Sequence, residues 1–245
     1  MKDIRKVTML DKAHFRKNPS GPAFLPLSVF SDFDGTIAHP DSINFLAEWF
    51  GGTEFRREIG KKILSGEISL RDGILQEVAA IKGTFPEVLE LLRQHIEVDK
   101  EFPGFANWCS RHKVPLSVLS GGIQQVVESL LAPFNLEGVR IVANSLQIAG
   151  GQWSLQFLDE TEWGHDKARD VLLAKSQGYC AVFLGDGLSD RGAARSADIV
   201  FARAGLARYC EQEGIPYKEF SNFLEVQHSL MALVEGHEGT PKSRG

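Results

Sequence analysis

The apolar runs of this chain are short, and several end in a polar or glycine-rich loop. Val29 and Phe30 close one run, just before Ser31-Asp32-Phe33-Asp34-Gly35-Thr36. VPLSVL (114–119) leads into Ser120-Gly121-Gly122, and CAVFLG (180–185) leads into Asp186-Gly187. VRIVAN (139–144) and DIVFA (198–202) are further runs of the same kind. Short apolar runs bounded by turn residues predict buried strands. Helical spacing fills the intervals: about 102–113, from Gly122 to about Leu131, from GHDK (164–167) to about Ser176, then 189–196, 204–213 and 221–234. SLQIAGGQWSLQF (145–157) alternates apolar and polar residues on both sides of Gly150-Gly151 and predicts a hairpin. Strands that alternate with helices predict an α/β fold with a mostly parallel, doubly wound sheet.

From Asp41 the period changes. Ile43, Leu46, Trp49 and Phe50 lie at helical spacing, with Asp41 or Ser42 as N-cap and Gly51-Gly52 as the stop. Helices are predicted over about 54–64, 69–81 and 86–97, and nothing in the segment reads as a strand. Residues 41–100 therefore form an expected all-helical cap, inserted after the first acidic loop and placed to cover it. The expected core is 28–40 plus 101–235. Residues 1–27 form an N-terminal extension with a Pro/Gly lead-in at 18–27, and 236–245 a polar tail.

Composition narrows the class. A chain of 245 residues buries one large core, or a core with a smaller insert. A net charge of −5 argues against a nucleic-acid partner, and no apolar run reaches the ~18 residues of a membrane span. Cys109, Cys180 and Cys210 form no C-x-x-C pair, which suits buried thiols in a reducing cytoplasm. The first 27 residues lack the apolar core of a secretory signal. They carry Lys2, Arg5, Lys6, Arg16 and Lys17, as an organellar targeting segment does, but also Asp3 and Asp11, so a peripheral extension is expected.

Four loops carry candidate chemistry. Asp32 and Asp34 are two apart, so in an extended chain both point the same way where the first strand gives out. Two close carboxylates need a cation or a shared proton between them. Ser120-Gly121-Gly122 offers a hydroxyl and backbone donors for an anion, or a plain helix cap with permissive glycines. Lys167, near a helix start, is a phosphate ligand, a partner for a carboxylate, or a solvated surface lysine. Gly185-Asp186-Gly187-Leu188-Ser189-Asp190 supplies hard oxygen ligands for magnesium, or a structural turn in which Asp190 caps the next helix. Together these are the parts of phosphoryl transfer: charge neutralisation and in-line positioning.

The ordered set DFDGT, SGG, K and GDGLSD resembles the haloacid dehalogenase superfamily in its phosphatase branch, over about residues 28–230. The helical insert resembles the cap of the phosphoserine-phosphatase-like subgroup. The run from GDGLSD to EFSNF resembles phosphatases of the methionine-salvage, methylthiopentenyl-phosphate type. The resemblance implies a Rossmann-like core and an aspartyl-phosphate mechanism. It makes Asp32 the nucleophile and Asp34 the general acid and base. Ser120, Gly121 and Lys167 hold the phosphoryl group. Magnesium is bound by Asp32, the backbone carbonyl of Asp34, and Asp186, with Asp190 and Thr36 in support.

A small phosphorylated metabolite is the expected partner; oligomeric state is not readable. Specificity is expected in the cap, with Asp41, Arg56 and Arg71 as candidates beside Arg57 and the loop residue His39. Each of these also reads as an ordinary surface charge or cap. A phosphoserine phosphatase or a phosphotransferase of the same fold remains open, and a non-enzymatic binding module ranks last because both aspartates are present. A nucleotide-binding domain is excluded, since no G-x-G-x-x-G or G-x-x-x-x-G-K-[ST] follows the first strand.

Overall fold

The computed structural model describes residues 26–234, so the proposed extension up to residue 25 and the tail at 236–245 lie outside the described residues. Strand β1 (Leu27–Ser31) is buried along its whole length. It pairs in parallel with β4 (Leu116–Ile123) on one side and β7 (Cys180–Gly185) on the other. The sheet continues outward to β5 (Val139–Ala149) and β6 (Gln152–Gln156) beyond β4, and to β8 (Ile199–Ala202) and β9 (Lys218–Glu219) beyond β7. Only the β5–β6 pair is antiparallel in this seven-stranded sheet.

Side-chain alternation along the strands builds a core on each face. Val29, Val118, Val182, Leu184 and Phe201 pack on one face, against Phe102 and Phe105 of α5 (Phe102–Arg111) and Phe223 of α10 (Phe223–Val234). Phe30, Leu119, Phe183 and Val200 pack on the other, against Val171 of α7 (Lys167–Ser176) and Leu206 of α9 (Ala204–Glu213). Helices α6 (Gln124–Leu131) and α8 (Arg191–Ser196) complete the two layers.

Between β1 and α5 the chain forms α1 (Ser42–Gly51), α2 (Thr53–Ser65), α3 (Leu70–Ala79) and α4 (Phe85–His95). Asp41 caps α1 by accepting from Asn44 N–H, and Ser69 caps α3 by accepting from Asp72 N–H. Gly73 lets α2 and α3 meet closely, because a Cβ there would lie 2.4 Å from Ile63. The insert is not wholly helical: β3 (Glu97–Val98) pairs antiparallel with β2 (Ala38–His39), so both crossings into the insert are joined in one short ribbon. Two residues per strand are too few to show a period. The free edge of the sheet also meets the insert, where Trp153 of β6 donates to the Gly83 carbonyl at 2.9 Å.

One loop differs from expectation. Strand β4 runs through Ser120, Gly121 and Gly122 to Ile123, and α6 starts only at Gln124. The glycines extend the strand, with an irregular register between Leu119 and Ile123, rather than opening a helix.

Candidate active site

Asp32 follows β1 and keeps the sheet pairing, donating its N–H to Leu184 O at 2.9 Å. Phe33 next to it is fully buried and turns into the core. Asp32 and Asp34 therefore sit on the opposite side, and both line a cavity of about 370 Å³ under the helical insert. A tight turn closes the loop, with Ile37 and Ala38 N–H both donating to Phe33 O. Gly35 sits at φ 80°, and a Cβ there would lie 2.4 Å from Asp186 Oδ2. The first and last acidic loops thus pack backbone against carboxylate.

Lys167, the first residue of α7, is completely buried. Its Nζ lies 2.5 Å from Asp32 Oδ1, 2.7 Å from Asp190 Oδ1 and 3.3 Å from Ser189 Oγ. Asp190 Oδ2 accepts from the N–H groups of Asp186 and Gly187 at 2.9 and 3.0 Å. Asp190 therefore folds its own loop back rather than capping α8, for which it makes no side-chain cap bond. Ser120 Oγ accepts from Gly122 N–H at 2.8 Å and stands 3.5 Å from Asp34 Oδ2. Asp34 Oδ1 accepts from Ser42 N–H of α1 at 2.7 Å, a direct link from the core loop to the insert.

The carboxyl groups here are buried close to one another, around the buried cation Lys167. Burial, then Asp190, pushes the Asp32 carboxyl well above its usual range, against the pull of Lys167. Burial also raises Asp34 despite the Ser42 N–H, lifts Asp186 to about 6, and takes Asp41, with Asp34 beside it, to about 8. One lysine does not neutralise such a cluster. Oxygens of Asp32, Asp186 and Asp190 lie within 4.8 Å of one another, and Asp32 Oδ2 is buried without a hydrogen-bond partner. Both Asp190 oxygens are engaged by Lys167 and the loop N–H groups, so the orphaned Asp32 Oδ2 beside the Asp186 carboxylate is what fits a divalent cation such as magnesium.

The other candidates divide. Asp41 and Arg56 line the cavity. Arg71 does not: it pairs with Glu160 at 2.5 Å and stacks over Phe157, fastening the insert to the segment after β6. Arg57 pairs with Glu54 on the exposed face of α2, and His39 sits in the short ribbon opposite Glu97. Thr36 is buried with its hydroxyl unpartnered; its carbonyl accepts from Arg203, so any support runs through its backbone.

Four further residues hold the site and were not singled out in the sequence. His165 is buried with Nδ1 3.1 Å from Ser120 O and Nε2 3.4 Å from Asp170. Asn144 donates to Gly121 O at 2.8 Å, fixing the glycine pair. Arg203 reaches the Thr36 and Ser221 carbonyls from the start of α9. Glu77 of α3 is buried in the cavity wall, 3.4 Å from Arg56 Nε. Glu77 stands on the apolar side of α3 (Gly73, Ile74, Val78), a local signal that the residue is not solvated.

Known proteins resemble this chain in sequence and in fold. Pdp3-interacting factor 1 of Schizosaccharomyces pombe is 32% identical over 84% of this chain and 96% of its own length. The polyol phosphate phosphatase PYP1 of Saccharomyces cerevisiae is 31% identical, over 86% and 95%. A 2-hydroxy-3-keto-5-methylthiopentenyl-1-phosphate phosphatase of Bacillus mycoides is 29% identical, over 86% and 99%. Among solved structures, a phospho-aspartyl intermediate analogue of phosphoserine phosphatase superposes with a TM-score of 0.64 at 19% identity, covering 82% of this chain and 97% of that one; it shares the fold. The profile of haloacid dehalogenase-like hydrolases matches residues 29–195, and the chain belongs to that family.

Proposed function

We propose that this protein is a magnesium-dependent phosphomonoesterase of a small metabolite, acting through an aspartyl-phosphate on Asp32. One observation carries the reading. Lys167 engages Asp32 Oδ1, while Asp32 Oδ2 has no protein partner and Asp34 stands beside it in the same cavity. The phosphatase names of the relatives support the same reaction class. Three buried free thiols suit a reducing compartment, and we place the enzyme in the cytoplasm.

Asp32 and Asp186, with the Asp34 carbonyl, would hold the magnesium ion, which when bound offsets the charge of the phosphate dianion. Asp32 attacks phosphorus as the ester O–P bond breaks. Asp34, whose carboxyl burial raises above its usual range, gives its proton to the departing alkoxide. Water then enters. Asp34 takes its proton, the water oxygen bonds to phosphorus, and the P–O bond to Asp32 breaks, restoring both aspartates. Ser120 is set by Gly122 N–H and by His165 behind its carbonyl, so its hydroxyl is poised for a phosphoryl oxygen. Lys167 holds the nucleophile and exchanges its long contact with Ser189 for the substrate.

The relatives supply two leaving-group chemistries, a polyol and a methylthiopentenyl enol as in methionine salvage. The test is phosphate release from a panel of small phosphomonoesters with magnesium. Asp32→Asn should remain folded and lose more than ~10³-fold in kcat; a chelator should stop the wild type and magnesium restore it. Substantial turnover by Asp32→Asn sinks the nucleophile assignment. Alcohol acceptors in the same assay separate hydrolysis from phosphotransfer.

A further inference from the structure

The far wall of the cavity, away from the phosphate end, is built by the helical insert. It carries Asp41, Asn44, Arg56 and Glu77 between apolar positions such as Ile63 and Ile74. Among the lining residues stand five carboxylates (Asp32, Asp34, Asp41, Glu77 and Asp186) and one cation, Arg56. That cation is already committed, because Arg56 Nε lies 3.4 Å from Glu77 Oε1 and Glu77 is 4% exposed. The contact lacks hydrogen-bond geometry. Both atoms are shielded from water, and neither has a hydrogen-bond partner. Unpaired buried polar atoms are costly unless something completes them.

We infer that the Arg56–Glu77 pair, with Asp41, selects phosphate esters whose leaving group ends in uncharged hydroxyls, and rejects those ending in a carboxylate. The inference rests on the phosphomonoesterase reading above. A hydroxyl both donates and accepts, so one group completes Glu77 Oε1 and another lies against Asp41 without added charge. A carboxylate only accepts. It would bring a further charge into a wall where burial already pushes Asp41 up to about 8 and Glu77 up to about 7, while competing with Glu77 for the one guanidinium. At the phosphate end a dianion is matched by Lys167 and the metal site; at the far end the one guanidinium, Arg56, already faces Glu77, so a second anion meets more carboxyl groups than cations. A cavity of about 370 Å³ holds a short chain beyond the phosphate, at the small end of ligand sites.

The test uses glycerol 3-phosphate against 3-phosphoglycerate, which differ only by hydroxymethyl against carboxylate at the far end. The assay is kcat/KM for phosphate release with magnesium, with p-nitrophenyl phosphate as a generic ester. The expected result is at least a fivefold preference for glycerol 3-phosphate. In Glu77→Gln the ratio should fall at least fivefold, through a gain on 3-phosphoglycerate, because Arg56 is released to meet the carboxylate. A wild-type preference below fivefold, or reversed, overturns the inference while leaving the phosphatase standing. A folded Glu77→Gln with an unchanged ratio overturns the role of the pair. If Glu77→Gln does not fold, the wild-type ratio alone decides. No release from any ester, p-nitrophenyl phosphate included, overturns the phosphatase reading and this inference with it.

Discussion

Replacing Lys167 with methionine keeps an unbranched side chain, one atom shorter, and removes one buried charge. In the wild type that charge lies 2.5 Å from Asp32 and 2.7 Å from Asp190, with all three side chains at most 7% exposed. At an effective dielectric of ~20 each contact is worth about 6 kcal/mol gross. Burying three ions takes back most of this, and deleting one partner from such a cluster nets a loss of about 3–5 kcal/mol. For a protein of this size that is a fall in melting temperature of roughly 6–20 °C at neutral pH. The pH dependence follows with a definite sign. Burial raises the Asp32 carboxyl even in the wild type, and Lys167 is the group that pulls it down; without Lys167 the folded state holds its protons to higher pH than the wild type does, so the deficit shrinks as pH falls. Each proton that the variant's folded state holds beyond the wild type's returns about 1.4 kcal/mol per pH unit, and the removal of one neighbouring charge is matched by one such proton. The deficit of Lys167→Met should therefore shrink by about 2.7 kcal/mol between pH 7.5 and 5.5. Urea denaturation of both proteins at the two pH values measures it. A deficit under about 1 kcal/mol, or one independent of pH, would refute the view that Lys167 is what allows these carboxylates to be buried.

Gly122→Ala places a Cβ 2.9 Å from Asp34 Oδ2 and 3.0 Å from Ser120 Oγ. Displacement of that order in a reacting pair should lower kcat/KM by about 10²-fold, with the melting temperature little changed; steady-state kinetics and a thermal scan check both. Burial alone would raise the Asp170 carboxyl, but hydrogen bonds from His165 and Arg140 outweigh it and hold the group below its usual range. Its contribution is therefore present above the usual carboxylate pKa and lost as pH falls through the folded value. Asp170→Asn should cost about 1–2 kcal/mol at pH 7, and the cost should shrink as pH falls below the usual carboxylate range, read by denaturation at each pH.

Much of the site was legible because its residues end apolar strands. Asp32, Asp34 and Asp186 follow runs buried along their length, and the strand ends of a doubly wound sheet converge on one edge. Lys167 had no such context: a lysine at a helix start reads as surface until Asp32 and Asp190 arrive from far away in the chain. His165, Asn144 and Arg203 act through backbone carbonyls, and a carbonyl leaves no mark in a sequence. Ser120-Gly121-Gly122 misled by composition, since glycines that commonly open a helix here continue β4 beside Asn144 of β5. Arg71 and Arg56 look alike in one dimension, yet one pairs with Glu160 beyond the insert and the other faces Glu77 in the cavity wall.

The central strand has a consequence for synthesis. β1 pairs along its full length with Cys180–Leu184, and Asp32 meets its counter-charge 135 residues downstream. On the ribosome, the first strand and its aspartates emerge long before either partner. Until β7 is made, β1 has one bare edge, the kind of surface that recruits wrong partners. Any fragment that stops short of α7 carries the attacking carboxylate without the cation that lets it enter the interior.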